Sequence, residues 1–146
     1  MMASRANRER GFTLVELIVV VAILGILVAI VVPALLTAVN RSRQRRSMAD
    51  MANIAKANGA YAIDNGTYVN ALPNLQPQYM LVVAVNDGWG NPFNYAAGGG
   101  NLSYVLTSFG RDGAAGPAAP VPWENEPFEP DLILNTGQFT QAPGVQ

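Results

Sequence analysis

The chain of 146 residues contains no cysteine and no histidine. Disulfide bonds are therefore excluded, as are thiolate or imidazole metal ligands and catalytic pairs built on these residues. Charge is also scarce: charged residues make up 13% of the chain, against about 25% in a typical globular protein. Half of the chain is hydrophobic. This composition rules out a disordered polyelectrolyte and a typical nucleic-acid-binding protein.

The apolar residues are concentrated in one run, from Leu17 to Leu36, that carries no charge. About 20 apolar residues at ~1.5 Å rise per residue span the ~30 Å hydrocarbon core of a bilayer. Charge is segregated too. Residues 1–46 carry seven arginines and two glutamates, whereas residues 51–146 carry two bases and seven acids. The net charge of −1 therefore conceals a basic, membrane-inserted end and an acidic body.

Three hypotheses compete for this N-terminal part: a cleaved secretory signal, a plain membrane anchor, and a processed anchor that forms filaments. The apolar core of a signal peptide runs to about 7–15 residues, which is shorter than this run. Glu16 separates the other two, because a carboxylate in the apolar segment costs roughly 2.5–3.5 kcal/mol at full depth. Glu16 lies either in the headgroup region or beside a positive partner once subunits leave the lipid.

The sequence RERGFTLVELIVVVAILGILVAIVVP resembles the N-terminal signature of type IV prepilins and type II secretion pseudopilins. The resemblance implies that prepilin peptidase cuts between Gly11 and Phe12, and that Phe12 is then N-methylated. Thr13 belongs to the same motif, and Glu16 would neutralise the Phe12 amine of a neighbouring subunit during assembly. Electrostatics supports this pairing, because the free-energy cost of placing an ammonium and a carboxylate in apolar surroundings is smaller when the two charges are paired.

Gly25 and Pro33 also match the family pattern, and the resemblance implies that the stretch between them unwinds in the assembled filament. Pro33 lacks a backbone N–H and is expected to kink the helix, and Gly25 loosens it. The alternative is that both are the ordinary Gly and Pro that membrane helices tolerate. The resemblance also implies a cytoplasmic leader and an external body.

Helix signals continue beyond the apolar run and predict one helix from about Phe12 to about Asp64, on the order of 80 Å long. Its second half is expected to pack under a sheet, and Asn65-Gly66 is expected to end it. The apolar stripe that predicts this packing has near i, i+3, i+4 spacing and consists of Met48, Met51, Ala52, Ala55 and Ala62.

Four arginines follow the apolar run within six residues: Arg41, Arg43, Arg45 and Arg46. The positive-inside rule supports the implied orientation only weakly, because these arginines flank the end of the run opposite the leader. Aromatic residues are not interleaved among them, so nucleic acid is not the predicted partner. Contact with anionic headgroups before assembly, or with acidic neighbours in a filament, is favoured.

The pattern beyond Thr67 adds three or four antiparallel strands to the long N-terminal helix, which predicts an α+β fold with the helix packed on a small antiparallel sheet. The resemblance implies that this is the pilin fold. The predicted strands are Tyr79–Val85, Phe93–Ala97, Leu102–Phe109 and Leu132–Leu134. GGGN at residues 98–101 predicts a hairpin turn, and Leu102, Tyr104 and Leu106 are expected to share one face. The tail TQAPGVQ is expected to fray.

The predicted division of the chain has four parts. Residues 1–11 are a cleaved leader, and residues 12–36 are a transmembrane and assembly helix. Residues 37–65 are the amphipathic half of that helix, and residues 66–146 are a globular β-sheet body with a C-terminal loop.

Three further segments, YAIDNGTY, DGWGNPFNY and YVLTSFGRDG, resemble the body of the major pseudopilin of type II secretion. That resemblance implies a calcium site, with Asp112 and the carbonyl of Phe109 as matching ligands and Asp131 as an acidic residue before the last strand. Calcium takes 6–8 oxygen ligands. The loop here is longer than the family pattern and lacks an adjacent acidic pair, so Glu124, Glu126 or Glu129 would have to substitute. The alternative is a solvated, Pro-rich acidic loop.

The predicted function is that of a structural subunit and not of an enzyme: a homopolymer-forming filament protein, most similar to the major pseudopilin of a periplasmic pseudopilus. The expected partners are prepilin peptidase, the inner-membrane assembly platform, minor pilins or pseudopilins and, before assembly, the bilayer. The protein would be a single-pass inner-membrane protein before assembly and part of a pseudopilus or extracellular pilus afterwards. The alternatives are a type IV pilin of a surface pilus and a membrane-anchored, non-polymerising calcium- or ligand-binding module.

Overall fold

The computed structural model describes residues 11–116, 128 and 130–143. Leader residues 1–10 and the loop glutamates Glu124, Glu126 and Glu129 lie outside them. The chain divides into two compact units, Met1–Ala38 and Val39–Gln146. The described residues of the first unit, 11–38, are called the stem, and those of the second are called the head.

The long helix is confirmed. It begins two residues later than the expected Phe12 and ends one residue later than the expected Asp64. Helix α1 comprises Leu14–Asn65, 52 residues, and contains Pro33. It is the one helix in the described residues that is long and apolar enough to cross a membrane. Every residue of the stem is exposed. The apolar side chains of the stem therefore have no partner within the described part of the chain.

In the head the same helix has a buried face, consisting of Gln44, Ser47, Met51, Ile54, Ala57 and Asn58. The predicted stripe is only partly right. Met51 is fully buried, whereas Met48, Ala52, Ala55 and Ala62 are half-buried and flank the true face. The steps of three and four along this face bring residues over successive turns to one side. Because three of these positions carry polar residues, a search for apolar residues alone did not identify this buried face.

The head contains a four-stranded antiparallel sheet with the order β1-β2-β3-β4. The strands are β1 (Asn94–Gly98), β2 (Ser103–Ser108), β3 (Leu132–Asn135) and β4 (Gln138–Gln141). In β2, Tyr104 and Leu106 are buried, as predicted, but Leu102 lies in the preceding turn and is 68% exposed. Together with the helix, this sheet confirms the α+β class.

The strand predicted over Tyr79–Val85 is wrong. The amide N–H groups of Tyr79 and Met80 both donate to the carbonyl of Leu75, which closes a turn after the short 3₁₀ helix Leu72–Leu75. These donors are therefore used locally and not in a strand ladder.

The C-terminal tail does not fray over its described part. Thr136 and Gly137 have positive φ angles of 45° and 88° and form a two-residue turn that joins β3 to β4. Positive φ at both central residues matches the right-handed twist of paired strands. Ala142 then lies 1% exposed in the core, so β4 is part of the head.

Candidate functional site

The first turn of α1 is closed by a reciprocal set of hydrogen bonds between Thr13 and Glu16. The Thr13 N–H and Oγ1 donate to Glu16 Oε2 at 2.9 and 2.8 Å, and the Glu16 N–H donates to Thr13 Oγ1 at 3.2 Å. This is a capping box, in which a Thr before the helix and a Glu three residues later satisfy each other's backbone donors. The T-L-V-E spacing was the signal in the sequence, and sequence reasoning missed it.

The capping box leaves Glu16 available for a second role. Only Oε2 is used within the described residues, and the side chain is exposed. The carboxylate is therefore held by Thr13 in a defined position at the start of the apolar segment. Structural capping and pairing with another subunit are compatible uses of the same group.

The predicted processing residues precede the helix. Gly11 and Phe12 are exposed and have no regular secondary structure, and Phe12 is 89% exposed. A peptide bond outside a helix offers its backbone groups to a protease without prior unfolding. Cleavage and methylation stay predictions.

Gly25 and Pro33 lie within continuous helix. Pro33 has no N–H to donate to the carbonyl of Ala29, and Thr37 Oγ1 donates to the Pro33 carbonyl at 3.1 Å. No atom lies within 4 Å of the position that a Cβ on Gly25 would occupy. The subunit thus contains a locally weakened helix, and its unwinding in a filament stays a prediction.

A buried carboxylate, which sequence reasoning did not single out, organises the DGWGNP turn. Asp87 is 5% exposed. Its Oδ1 accepts hydrogen bonds from the N–H groups of Trp89 and Asn91 at 3.0 and 2.9 Å, and its Oδ2 accepts one from Ser108 Oγ at 2.7 Å. An Asp that bonds to backbone two residues ahead is a turn former, which was the available signal.

This turn is fastened directly to α1. The Gly88 N–H donates to Ser47 Oγ at 2.8 Å, and Trp89 Nε1 donates to Asn40 Oδ1 at 3.4 Å. A Cβ on Gly88 would lie 2.3 Å from the backbone oxygen of Arg43, so only glycine permits this approach. The buried Ser47 on the helix is explained by this contact.

The residues predicted to bind calcium are brought together only in part. Asp131 is 5% exposed, its Oδ2 accepts from the Gly116 N–H at 3.0 Å, and its Oδ1 has no partner within the described residues. Burial raises the pKa of Asp131, and the charge of Asp112 raises it further. Asp112 is exposed and accepts from the Ala114 N–H.

No group of three or more acidic side chains that could hold a metal ion occurs in the described part of the chain. The orphaned oxygen of Asp131 nevertheless fits a cation. A buried carboxylate with an unpaired oxygen and a raised pKa is stabilised by a positive charge beside it.

Two families match the sequence over different segments. "Prokaryotic N-terminal methylation motif" matches residues 6–32, and "Type II secretion system (T2SS), protein G" matches residues 34–120. The two segments together include the stem and α1 except for Pro33, and the first hairpin of the sheet.

Curated relatives extend over most of the chain. The type II secretion system core protein G of Pseudomonas aeruginosa is 35% identical over 127 residues, covering 75% of this chain and 89% of that protein. Those of Aeromonas hydrophila and Vibrio cholerae are 32% and 30% identical, covering 75% and 77% of this chain and 88% and 87% of the relatives. No solved structure matches the chain.

Proposed function

Because the chain belongs to the type II secretion system protein G family, we propose that it is the major pseudopilin of such a system. In this role it is a structural subunit, with no catalytic activity of its own. It polymerises through its stem into a periplasmic filament that helps to move folded proteins outward.

The observation that carries this proposal is the uncovered stem. From Phe12 through Ala38 every side chain is exposed although most are large and apolar. Exposed apolar surface on this scale requires either lipid or other protein around it. A subunit that passes from a bilayer to a filament core satisfies both requirements in turn.

The N-terminal residues supply the specificity of assembly. Cleavage after Gly11 would create a new amine at Phe12, four residues before Glu16. In a filament core of low dielectric, the desolvation penalty of that ammonium and of a neighbour's Glu16 carboxylate is offset when the two charges form an ion pair. The capping bonds from Thr13 hold the carboxylate in place before it meets the amine.

Prepilin peptidase, the assembly platform and minor pseudopilins are the proposed partners, with the N-terminus of the precursor in the cytoplasm and the head in the periplasm. Mass spectrometry of the mature N-terminus tests the processing step. A methylated Phe12 is the expected result. An unprocessed Met1, or cleavage near Ala38, would contradict the filament hypothesis.

Two matched substitutions test the assembly role of Glu16. Glu16→Gln keeps an acceptor for the capping box, since Gln also serves there, but removes the charge. Thr13→Val keeps the charge but removes the capping hydroxyl. Filament yield and membrane insertion are measured for both in cells that express the rest of the system.

We expect Glu16→Gln to insert normally but to be lost from filaments, because breaking a buried ion pair costs about 3–5 kcal/mol. Thr13→Val should lose only about 1 kcal/mol of helix capping and should still assemble. Normal filament yield from Glu16→Gln would refute the pairing. Loss of assembly from Thr13→Val alone would assign Glu16 to capping instead.

We also propose that Ca²⁺ binds beside Asp131. Asp131 and Asp112 would supply carboxylate oxygens and Phe109 a carbonyl oxygen, and the ion would neutralise the buried charge. What supports this is the unpaired Oδ1 of Asp131. The ion would strengthen the head around β3 without taking part in any reaction.

Thermal unfolding with calcium and with chelator tests this proposal. Saturating calcium at about 100 times Kd should stabilise the head by about 2.7 kcal/mol. Asp131→Asn should abolish that response, whereas the matched control Asp64→Asn, an exposed acid, should keep it. An unchanged midpoint in the unsubstituted chain would remove calcium from the proposal.

A further inference from the structure

The four arginines that follow the stem, Arg41, Arg43, Arg45 and Arg46, are all exposed. Between them only Gln44 is buried, and Ser47 beyond them is buried too. At about 100° per residue, these two positions define the side of α1 that faces the head core. The four guanidinium groups are therefore distributed over the remaining circumference of the helix.

Among the described residues, only one of the four arginines forms an ion pair. The Nε of Arg46 lies 3.7 Å from Asp50 Oδ2, in an i, i+4 pair. Arg41, Arg43 and Arg45 make no ion pair within residues 11–116, 128 and 130–143. Arg41, Arg43 and Arg45 stand at alternate positions over about one turn of helix. They are exposed and form no ion pair with the described residues, so they make a positive collar.

The position of this collar along the chain identifies its partner. It begins five residues after Leu36, the end of the uncharged run, which is less than two turns of helix. When the stem spans a bilayer, the collar lies at the level of the phosphates. Guanidinium groups bind phosphate oxygens in a planar, bidentate geometry.

We propose that Arg41, Arg43 and Arg45 form a binding site for anionic phospholipid headgroups, which recruits them around each unassembled subunit and fixes the depth of its helix. This site rests on the proposed membrane anchoring of the stem. It adds a lipid preference to that anchoring and a reason for positive charge at the end opposite the leader. Entry into a filament then requires these headgroups to be released.

The head contains a natural reporter for this site. Trp89 Nε1 bonds to Asn40, the residue immediately before the collar, and the chain has two tryptophans. In a Trp123→Phe background, Trp89 is the one fluorescence donor. The full chain is reconstituted at a high lipid-to-protein ratio into phosphatidylcholine vesicles. Two vesicle preparations are compared. In one, a small fraction of the lipid is phosphatidylglycerol that carries an energy acceptor on its acyl chain. In the other, the same acceptor is attached to phosphatidylcholine.

We expect energy transfer from Trp89 to be about twofold or more greater for labelled phosphatidylglycerol than for labelled phosphatidylcholine at low salt. The ratio should fall towards 1 in the Arg41→Gln, Arg43→Gln, Arg45→Gln variant. It should also fall at about 1 M salt, where the Debye length is ~3 Å. Lys56→Gln is the matched control for loss of one exposed positive charge, and it should keep the preference.

Equal transfer to both lipids in the unsubstituted chain would overturn the lipid site while leaving the anchor intact. An absence of transfer to either lipid would overturn the anchor, and the lipid site with it. If the triple variant loses the thermal transition of the head, the Arg41→Gln, Arg45→Gln variant replaces it. That variant leaves Arg43 beneath Gly88 unchanged, and an undiminished ratio in it would likewise overturn the site.

Discussion

The stem and the head share one helix, but its apolar side chains are exposed in the stem and buried in the head. In the stem, Leu24 and Ile30 are 53% and 69% exposed, as in a helix with nothing packed on it. In the head, Met51 and Ile54 on the same helix are 0% exposed, covered by the sheet and the loops. Helical geometry is common to both, so burial and not secondary structure separates the two regions.

This difference separates stability from assembly. The head buries an apolar cluster of its own, which includes Leu75, Leu106 and Leu134, and hydrophobic burial is the main favourable term in folding. The stem has its apolar surface still to bury. Substitutions in the head should therefore change unfolding, and those in the stem should change insertion or filament formation.

The sharpest test of this separation uses the same substitution on both sides. Ile54→Ala should destabilise the head by about 3 kcal/mol, because it leaves a cavity in a fully buried position. Ile30→Ala, at an exposed stem position, should leave the midpoint of head unfolding unchanged. Denaturant unfolding followed by tryptophan fluorescence measures both. Equal destabilisation by the two variants would show that the regions fold as one cooperative unit.

Gly88→Ala probes how the DGWGNP turn is held against the helix. A Cβ would lie 2.3 Å from the Arg43 backbone oxygen, so the turn must move away, at a cost of about 1–3 kcal/mol. Loss of the hydrogen bond from the residue 88 N–H to Ser47 Oγ should also increase amide exchange at residue 88. An unchanged unfolding midpoint would mean that the turn tolerates displacement, and the assigned docking would then be wrong.

Tyr104 gives the head a dependence on alkaline pH that the stem lacks. Burial raises the pKa of Tyr104 to about 12, whereas an unfolded tyrosine titrates near ~10. This contribution to stability is therefore complete below about pH 10 and is lost as the pH rises through about 12.

Tyr104→Phe should remove most of that loss, although Tyr95, whose pKa burial also raises, will retain part of it. The Tyr104 hydroxyl lies near the backbone of Gly137 but makes no hydrogen bond of good geometry with the described residues. The variant should therefore also gain about 1 kcal/mol at neutral pH. Unfolding free energies at pH 8 and pH 11 measure both effects. An identical alkaline decline in the variant would contradict the assignment to Tyr104.

The smallest expected effects come from two helical glycines with open space around them, Gly25 and Gly59. Gly59→Ala should stabilise the head by about 0.5–1 kcal/mol, since alanine is the better helix former. Gly25→Ala should increase helicity of the stem in micelles by a similar free energy. If unwinding accompanies assembly, it should also lower filament yield. Undiminished yield would contradict the role assigned to Gly25.

Two features with a local cause were predicted correctly from the sequence, although the capping box at Thr13 and Glu16 was missed. The apolar run and the long helix follow from composition and periodicity, and the hairpin around GGGN follows from glycine content. The strand at Tyr79–Val85 was predicted wrongly because its β-branched and aromatic residues suit a strand. Leu75, however, already accepts the amide hydrogens of Tyr79 and Met80. Competition between local and long-range hydrogen bonds is not visible in residue types.

The sequence by itself determined that the protein has two chemically different parts. One is an uncharged apolar run, unfavourable in water, with a single carboxylate at its start, and the other is an acidic body. These follow from transfer free energies that each residue carries wherever it lies. Only the tertiary structure decided that Ser47 and Asp87 hold a turn on α1. It also decided that Asp131 is buried with one oxygen unpaired. These depend on distances between residues far apart in the chain or on the position of one side chain against a backbone, which only folding sets.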